Sequence, residues 1–284
     1  MDYFNTKQYA NAFTIINKLI AIDSSDYVSW TIRGRVLHML ERDDEAFASF
    51  DKALSINPNY YECYSFRGTL YSIKDQPALA LRDINMALSG KINDSSLIQR
   101  RAGYYIKNNQ FDSAINDCNY LILINHRHFK AYYYRGIALK KKGDLDAALV
   151  AFDSAIAINP NDPELHNDRG FLFIAQEKFD KAIIDFSRSI LLAGNEDSIA
   201  KAYAYNNRGF CAYKYGQLAD ALNDVNYSIQ LLPSNSYAFK NRALIYLALN
   251  KTSAACEDLT SSLNLGYTKK FGNDVLKLQS KNCK

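Results

Sequence analysis

The stretch YVSWTIRGRVLHMLERDDEAFASFDKALSINPNY, residues 27–60, contains the pattern that decides the fold. Apolar residues recur at helical spacing over residues 30–37 and, after the polar segment 41–44, again over residues 46–54. Pro58 closes the second stretch, because proline lacks an amide hydrogen and its ring clashes with the preceding helical turn. The stretch therefore predicts two antiparallel helices joined by a tight turn.

The same pattern occurs seven times along the chain. In every copy an Arg precedes Gly or Ala, and an Ala follows the Arg after thirteen residues. The step between copies is 34 residues, except for one step of 39 between Gly170 and Gly209. A fixed period of this length indicates stacked copies of one supersecondary unit. The extra five residues fall near 194–198, where we expect a longer connection or an extended helix start.

Three copies carry further shared residues in the second helix. Ala46 is followed by Phe50, and Ala148 by Phe152, each with a closing Pro; Ala182 is followed by Phe186 without one. This pattern resembles the tetratricopeptide repeat, a 34-residue helix-turn-helix unit, over about residues 27–267. The resemblance implies an all-α, right-handed α-solenoid, or superhelix, and a non-catalytic scaffold that holds a peptide or protein partner in its concave groove.

The period also predicts how the chain is divided. We expect a single array over residues 1–284, with a partial N-terminal repeat, seven full repeats and a C-terminal capping helix: residues 1–26; 27–60, 61–94, 95–128, 129–162, 163–201, 202–235 and 236–267; and 268–284. Residues 9–23 are interpreted as a lone second helix. Residues 273–281 are interpreted as a final helix whose inward-facing residues are Val275, Leu276 and Leu278.

Composition excludes several classes of protein. The net charge of +4 is small for 284 residues and lacks the concentrated basic stripe of a nucleic-acid binder. No run of apolar residues is long enough to span a membrane. The first residues show no basic region followed by an apolar core, so we expect a cytoplasmic location. The alternative is an exported protein whose signal has been removed.

The Arg that precedes Gly or Ala in each of the seven copies is the most uniform polar feature, and these residues are called the arginine column below. Five repeats carry an Asp at their twenty-third position, whereas the other two carry Ser49 and Ala151 there, with Asp51 and Asp153 two residues later. One interpretation is an Arg–Asp ladder within or between repeats, a role that suits the planar fork of Arg donors. The other is a row of ligand-binding cations. We favour the ladder, because binding sites seldom need seven identical groups.

No constellation of residues indicates catalysis. The four His residues are scattered, and no zinc motif, phosphate loop or nucleophile elbow is present. We therefore expect no enzyme activity, no cofactor and no metal site. Of the five cysteines, Cys256 and Cys283 lie where two packed antiparallel helices would bring their ends together, so a disulfide is a hypothesis for this pair.

The groove residues follow from the resemblance by position. In tetratricopeptide proteins the first helix of each repeat lines the groove, through its second, fifth, sixth and ninth residues. The candidates carried over in this way are Arg100, Lys130, Tyr133, Tyr134, Asn167, Asp168, Phe171, Tyr203, Asn206, Asn207, Tyr237, Lys240 and Asn241. An equally weighted interpretation for each is packing against the neighbouring repeat.

Other binding functions remain open. Chaperone adaptors that clamp a C-terminal carboxylate need Lys and Asn before a middle Asn, and Lys and Arg after it. Around Asn207 the chain offers Asn167 and Phe171 before it, and Tyr237 and Asn241 after it. We therefore predict no carboxylate-clamp chaperone binding. The alternatives are a helical-repeat protein that binds RNA, which the variable groove positions disfavour, and an interaction module excised from a larger protein.

Overall fold

The computed structural model describes residues 3–194 and 198–283. They belong to two compact units, Met1–Lys142 and Gly143–Lys284. The described residues form seventeen helices and no strand, which confirms the all-α solenoid of helix-turn-helix repeats. The first unit contains α1 (Tyr3–Ile22), α2 (Tyr27–Met39), α3 (Asp43–Ile56), α4 (Tyr61–Ile73), α5 (Pro77–Gly90), α6 (Ser95–Lys107), α7 (Phe111–Ile124) and α8 (Phe129–Lys142). The second contains α9 (Leu145–Ile158), α10 (Pro163–Ala175), α11 (Phe179–Leu192), α12 (Ser198–Tyr215), α13 (Leu218–Leu231), α14 (Ser236–Ala248), α15 (Thr252–Asn264), α16 (Tyr267–Phe271) and α17 (Asp274–Asn282).

Helix starts follow the predicted period closely. Six first helices begin at the first residue of a predicted repeat; α12 begins at Ser198, four residues before its repeat. This is the extended helix start expected at the 39-residue step, although residues 195–197 of the insertion lie outside the described residues. The division into one array of seven repeats stays a prediction.

The two ends differ from expectation. Helix α1 runs unbroken from Tyr3 instead of Tyr9, because no Gly or Pro interrupts residues 3–22. The C-terminal cap consists of two helices, α16 and α17, instead of one. The prediction that Leu276 faces inward is wrong, since its side chain is 43% exposed. Val275 and Leu278, three residues apart, share the inward face of α17, and a residue directly after Val275 points elsewhere.

Small residues in the first helices permit close helix packing. A Cβ atom built on Gly34 would lie 2.6 Å from the ring of Phe50, and one on Gly170 would lie 2.9 Å from the ring of Phe186. Where the repeat has Ala102 instead of Gly, the residue at the Phe position is the smaller Cys118, and both are fully buried. A larger residue at the Gly position of the first helix is thus accompanied by a smaller residue at the Phe position of the second helix, as close packing requires.

The turn after each first helix has a conformation that the sequence does not reveal. The fifteenth residue of every repeat has a positive φ, between 55° and 90°. Two of these seven residues are glycines, Gly143 and Gly216, and the others are Glu41, Asp75, Asn109, Glu177 and Asn250. A left-handed residue after the last helical turn is a common helix C-terminus, and Gly adopts it without steric cost.

This conformation predicts opposite effects for two substitutions. Glu41→Gly relieves the left-handed strain of a non-glycine residue and should raise the free energy of unfolding by about 0.5–1 kcal/mol. Gly216→Ala should lower it by about 1 kcal/mol, because the added Cβ meets no other atom within 4 Å but strains a φ of +90°. Urea denaturation of both variants measures the effects. A lower midpoint for Glu41→Gly would contradict the strain argument.

The arginine column forms an ion-pair ladder, as one sequence interpretation predicted. In five repeats Nε and Nη2 of the Arg donate to both carboxylate oxygens of an Asp in the same repeat, over 2.7–2.9 Å. The pairs are Arg67–Asp83, Arg101–Asp117, Arg169–Asp185, Arg208–Asp224 and Arg242–Asp258. These bidentate pairs fix the first helix of a repeat against its second helix.

The remaining donor, Nη1, reaches the preceding repeat. Arg67 donates to Asp51 over 2.6 Å and Arg169 to Asp153 over 2.7 Å. The two Asp residues that seemed displaced in the sequence therefore serve the next repeat. Asn or Ser takes this place elsewhere: the acceptors are Asn85, Asn119, Ser187 and Asn226. The ladder thus links helices both within and between neighbouring repeats of each unit.

The charge of each Arg depends on its partners. Hydrogen bonds to Asp117 raise the pKa of Arg101, even though burial opposes this. Among the described residues Arg33 donates to the neutral side chains of Asn17 and Ser49, and desolvation lowers its pKa. Arg135 donates to Asn119, and its Nε has no partner among the described residues. Most of the column is thus compensated by carboxylates, which argues for a structural role over a row of ligand-binding cations.

A disulfide joins the C-terminal cap to the last repeat. Cys256 on α15 is bonded to Cys283, which follows α17, and their Cα atoms are 5.7 Å apart. Tyr267 and Val275 are buried in the same cluster of apolar side chains. Cys63, Cys118 and Cys211 are free and buried, and desolvation raises the pKa of the Cys63 thiol to about 11.

Candidate functional site

A groove in the second unit combines exposed aromatic side chains with amides. Its cavity measures about 530 Å³ and is open to solvent on one side. Three of its aromatic side chains remain accessible: Phe171 is 39% exposed, Tyr203 48% and Phe271 53%. The full lining consists of Asn167, Phe171, Tyr203, Asn206, Asn207, Ser234, Asn235, Ser236, Tyr237, Lys270 and Phe271.

Helices α10, α12 and α14 position these side chains. Helices α10 and α12 present residues one turn apart to the groove: Asn167 and Phe171 on α10, and Tyr203, Asn206 and Asn207 on α12. Tyr237, in the first turn of α14, packs edge-on against Phe271, with ring centroids 5.3 Å apart.

A row of three amides lies beneath and beside the cavity. Nδ2 of the buried Asn241 donates to Oδ1 of the buried Asn206 over 2.9 Å. Nδ2 of Asn206 in turn faces Oδ1 of Asn207 at 3.4 Å. Because Asn206 is held by Asn241, the amide of Asn207 is oriented at the cavity wall.

One buried amide of the lining has an unused donor. Asn235 is 5% exposed, and its Oδ1 accepts from the Tyr237 amide at the start of α14. Its Nδ2 has no partner among the described residues, and neither has Oδ1 of Asn241. A buried polar atom without a partner is costly, so a ligand that supplies an acceptor to Asn235 would gain from the contact.

The structure brings together six of the thirteen residues predicted for the groove, namely Asn167, Phe171, Tyr203, Asn206, Asn207 and Tyr237. Asp168 is outside this lining. Lys240 lies elsewhere, because its ammonium pairs with Asp274 at 3.2 Å and its side chain is only 12% exposed. Asn241 is buried beneath the cavity.

Four predicted residues belong to the first unit. Lys130 is exposed, whereas Tyr133 and Tyr134 are half-buried, and Tyr134 packs against an apolar cluster. Arg100 donates to Ser65 and Thr69 of the preceding repeat. Arg100 thus contacts the preceding repeat, and it also lines a cavity of the first unit.

Sequence reasoning missed Ser234, Asn235, Ser236, Lys270 and Phe271. The first three surround the start of α14, and the Asn before that helix is a recognisable N-cap signal. Lys270 and Phe271 belong to α16, which departs from the repeat pattern, so position within a repeat could not indicate them.

No group of His, Cys, Asp and Glu among the described residues is arranged to hold a metal ion. No helix in the described part of the chain is both long enough and apolar enough to cross a membrane.

Known proteins share the repeat and the fold. Residues 27–60 and residues 129–162 each match the tetratricopeptide repeat family. No curated protein sequence matches the chain. A tetratricopeptide repeat protein from Parabacteroides merdae has a similar structure, with 21% identity and a TM-score of 0.70 over 89% of this chain and 98% of that one.

Two further structures are similar over different lengths. Yeast Tom70 has 16% identity and a TM-score of 0.64, covering 98% of this chain and 59% of its own. YrrB, described as having an unusual peptide-binding site, has 18% identity and a TM-score of 0.56 over 69% of this chain and 97% of its own. At these identities the likeness establishes the fold. With the period of 34 residues, the two family matches identify residues 27–60 and 129–162 as tetratricopeptide repeats within an array of similar units.

Proposed function

We propose that the chain is a non-catalytic interaction scaffold whose second unit binds an extended peptide segment of a protein partner in the groove around Asn207. Tetratricopeptide repeats support a role in protein interaction in general. The peptide-binding site named for YrrB supports peptide binding by a similar fold.

The observation that carries the proposal is an unused amide donor among accessible aromatic rings. Asn235 is one of the lining residues and its buried Nδ2 lacks a partner among the described residues, while Phe171 and Tyr203 offer apolar surface in the same groove. A peptide carbonyl would satisfy Asn235, and Asn207 offers both a donor and an acceptor to a peptide backbone. Aromatic side chains in such positions often supply most of the binding energy.

Affinity capture with the full chain, followed by mass spectrometry, identifies the partner, and fluorescence anisotropy with its peptide measures the affinity. Phe171→Ala and Asn207→Ala should each weaken binding at least roughly tenfold, as expected for residues that dominate an interface. Tyr215→Ala is the matched control, because this tyrosine is 57% exposed and outside the lining.

Unchanged affinity in both groove variants would contradict the proposal. Lys270 is the one cation of this lining, so an RNA ligand would find little phosphate-binding charge here. Capture of RNA with strong salt dependence would therefore favour the alternative function instead.

A further inference from the structure

The first unit contains a separate cavity of about 510 Å³, of whose lining only Arg100 was predicted from the sequence. Its walls come from the first helices of three successive repeats, α2, α4 and α6, with single residues from α1 and α3. The floor is apolar, and Ile32 and Met39 at its edge are 36% and 37% exposed. The lining consists of Tyr9, Ile32, Arg35, Val36, His38, Met39, Phe50, Phe66, Thr69, Leu70 and Arg100.

The lining of this cavity carries cationic side chains and no carboxylate. The lining contains two arginines and no Asp or Glu. Nδ1 of His38 is hydrogen-bonded to Asp43, at 2.7 Å. The two arginines therefore decide which ligand the cavity favours.

Neither arginine is neutralised by a carboxylate of the described residues. The guanidinium of Arg35 lies over the ring of Phe66, 4.3 Å from its centroid, and makes no ion pair there. Arg100 donates only to neutral oxygens: Oγ and the carbonyl of Ser65, at 2.7 and 2.6 Å, the Thr69 hydroxyl, and the Tyr104 hydroxyl at 3.3 Å. These bonds hold Arg100 in place without compensating its charge.

This arrangement has a specific chemical complement. An apolar side chain would fill the floor, and a carboxylate beside it would meet the planar donor fork of Arg35, with the fixed charge of Arg100 nearby. We propose that this cavity binds an acidic peptide segment in which Leu, Phe or Met is flanked by Asp or Glu. The site lies wholly in the first unit and does not depend on the groove around Asn207.

The test uses a fluorescein-labelled octapeptide, Ser-Glu-Asp-Leu-Phe-Glu-Asp-Ser, acetylated and amidated at its ends so that only side-chain carboxylates remain. Anisotropy titration of the full chain should show binding that weakens with added salt. A peptide with Gln and Asn in place of the acidic residues, and one with Ala in place of Leu-Phe, should each bind at least roughly tenfold more weakly.

Arg35→Gln is the decisive variant, since this side chain is exposed and its loss does not threaten folding. It should weaken binding of the acidic peptide at least roughly tenfold. Arg127→Gln removes the same charge from an exposed turn outside the lining and should bind like the unsubstituted chain. Asn207→Ala should also leave this binding unchanged, which separates the result from that for the other groove.

The inference would be overturned by no binding of the acidic peptide, by equal binding of its neutral counterpart, or by full binding by Arg35→Gln. Displacement of the peptide by a single-stranded oligouridylate that binds more tightly would assign the cavity to nucleic acid and overturn it as well.

Discussion

Arg67→Leu is expected to lower the free energy of unfolding by about 3–5 kcal/mol, because it leaves a buried carboxylate without its partner. Asp83 is completely buried, and both its oxygens accept from Arg67. The remaining cation nearby, Arg82, is 57% exposed and approaches only to 3.3 Å. Chemical denaturation of the full chain, followed by circular dichroism, measures the loss.

The chain supplies its own control for this effect. Arg33 occupies the same repeat position but donates to the neutral side chains of Asn17 and Ser49. Arg33→Leu leaves no buried charge and should cost about 1–2 kcal/mol, the range for lost hydrogen bonds. The double variant Arg67→Leu/Asp83→Leu should regain much of the loss. Equal costs for Arg67→Leu and Arg33→Leu would contradict the argument.

Cys256→Ser is expected to lower the free energy of unfolding of the second unit by about 3 kcal/mol. The reason is that the unfolded chain has more conformational entropy without the cross-link. The bond between Cys256 and Cys283 spans 27 residues of sequence. Denaturation with and without reductant measures the effect: reductant should destabilise the unsubstituted chain and leave Cys256→Ser unchanged.

Alkylation in denaturant checks that the bond exists. Without reductant, three cysteines should react, namely Cys63, Cys118 and Cys211. Labelling of all five would show that the bond is not formed. Because disulfides persist mainly in oxidising compartments, the same count on protein taken directly from cells distinguishes an exported protein from a cytoplasmic one.

The period was sufficient to predict the fold, because each repeat carries its own helix and turn signals. The pairs within a repeat could be predicted from the Asp at position 23 of five repeats. The bonds from Nη1 to the preceding repeat could not, since the acceptor in four cases is Asn or Ser instead of Asp. The left-handed turn was hidden because only Gly143 and Gly216 mark it with glycine.

The candidate site was harder to predict. Repeat position indicates where a Cβ points but not what the end of a long side chain contacts. Lys240 was assigned to the groove by position, yet Asp274 of the cap draws its ammonium away. Phe271 could not be assigned at all, because α16 has no counterpart in the repeat. The cavity beside Arg35 depends on three repeats meeting, which one repeat read alone does not show.

The third donor of each ladder arginine sets a rule for how the array can change in length. Nη1 of Arg67 donates to Asp51, and Nη1 of Arg101 donates to Asn85, which occupies the same position one repeat later. If residues 61–94 were removed, Arg101 would therefore donate to Asp51 in place of Asn85. Duplication or loss of whole 34-residue repeats therefore leaves every ladder arginine with an acceptor in the preceding repeat. The 39-residue step shows that extra residues between two repeats are also compatible with the ladder, since Arg208 still donates to Ser187. A length change inside a helix would instead turn its arginine away from these partners.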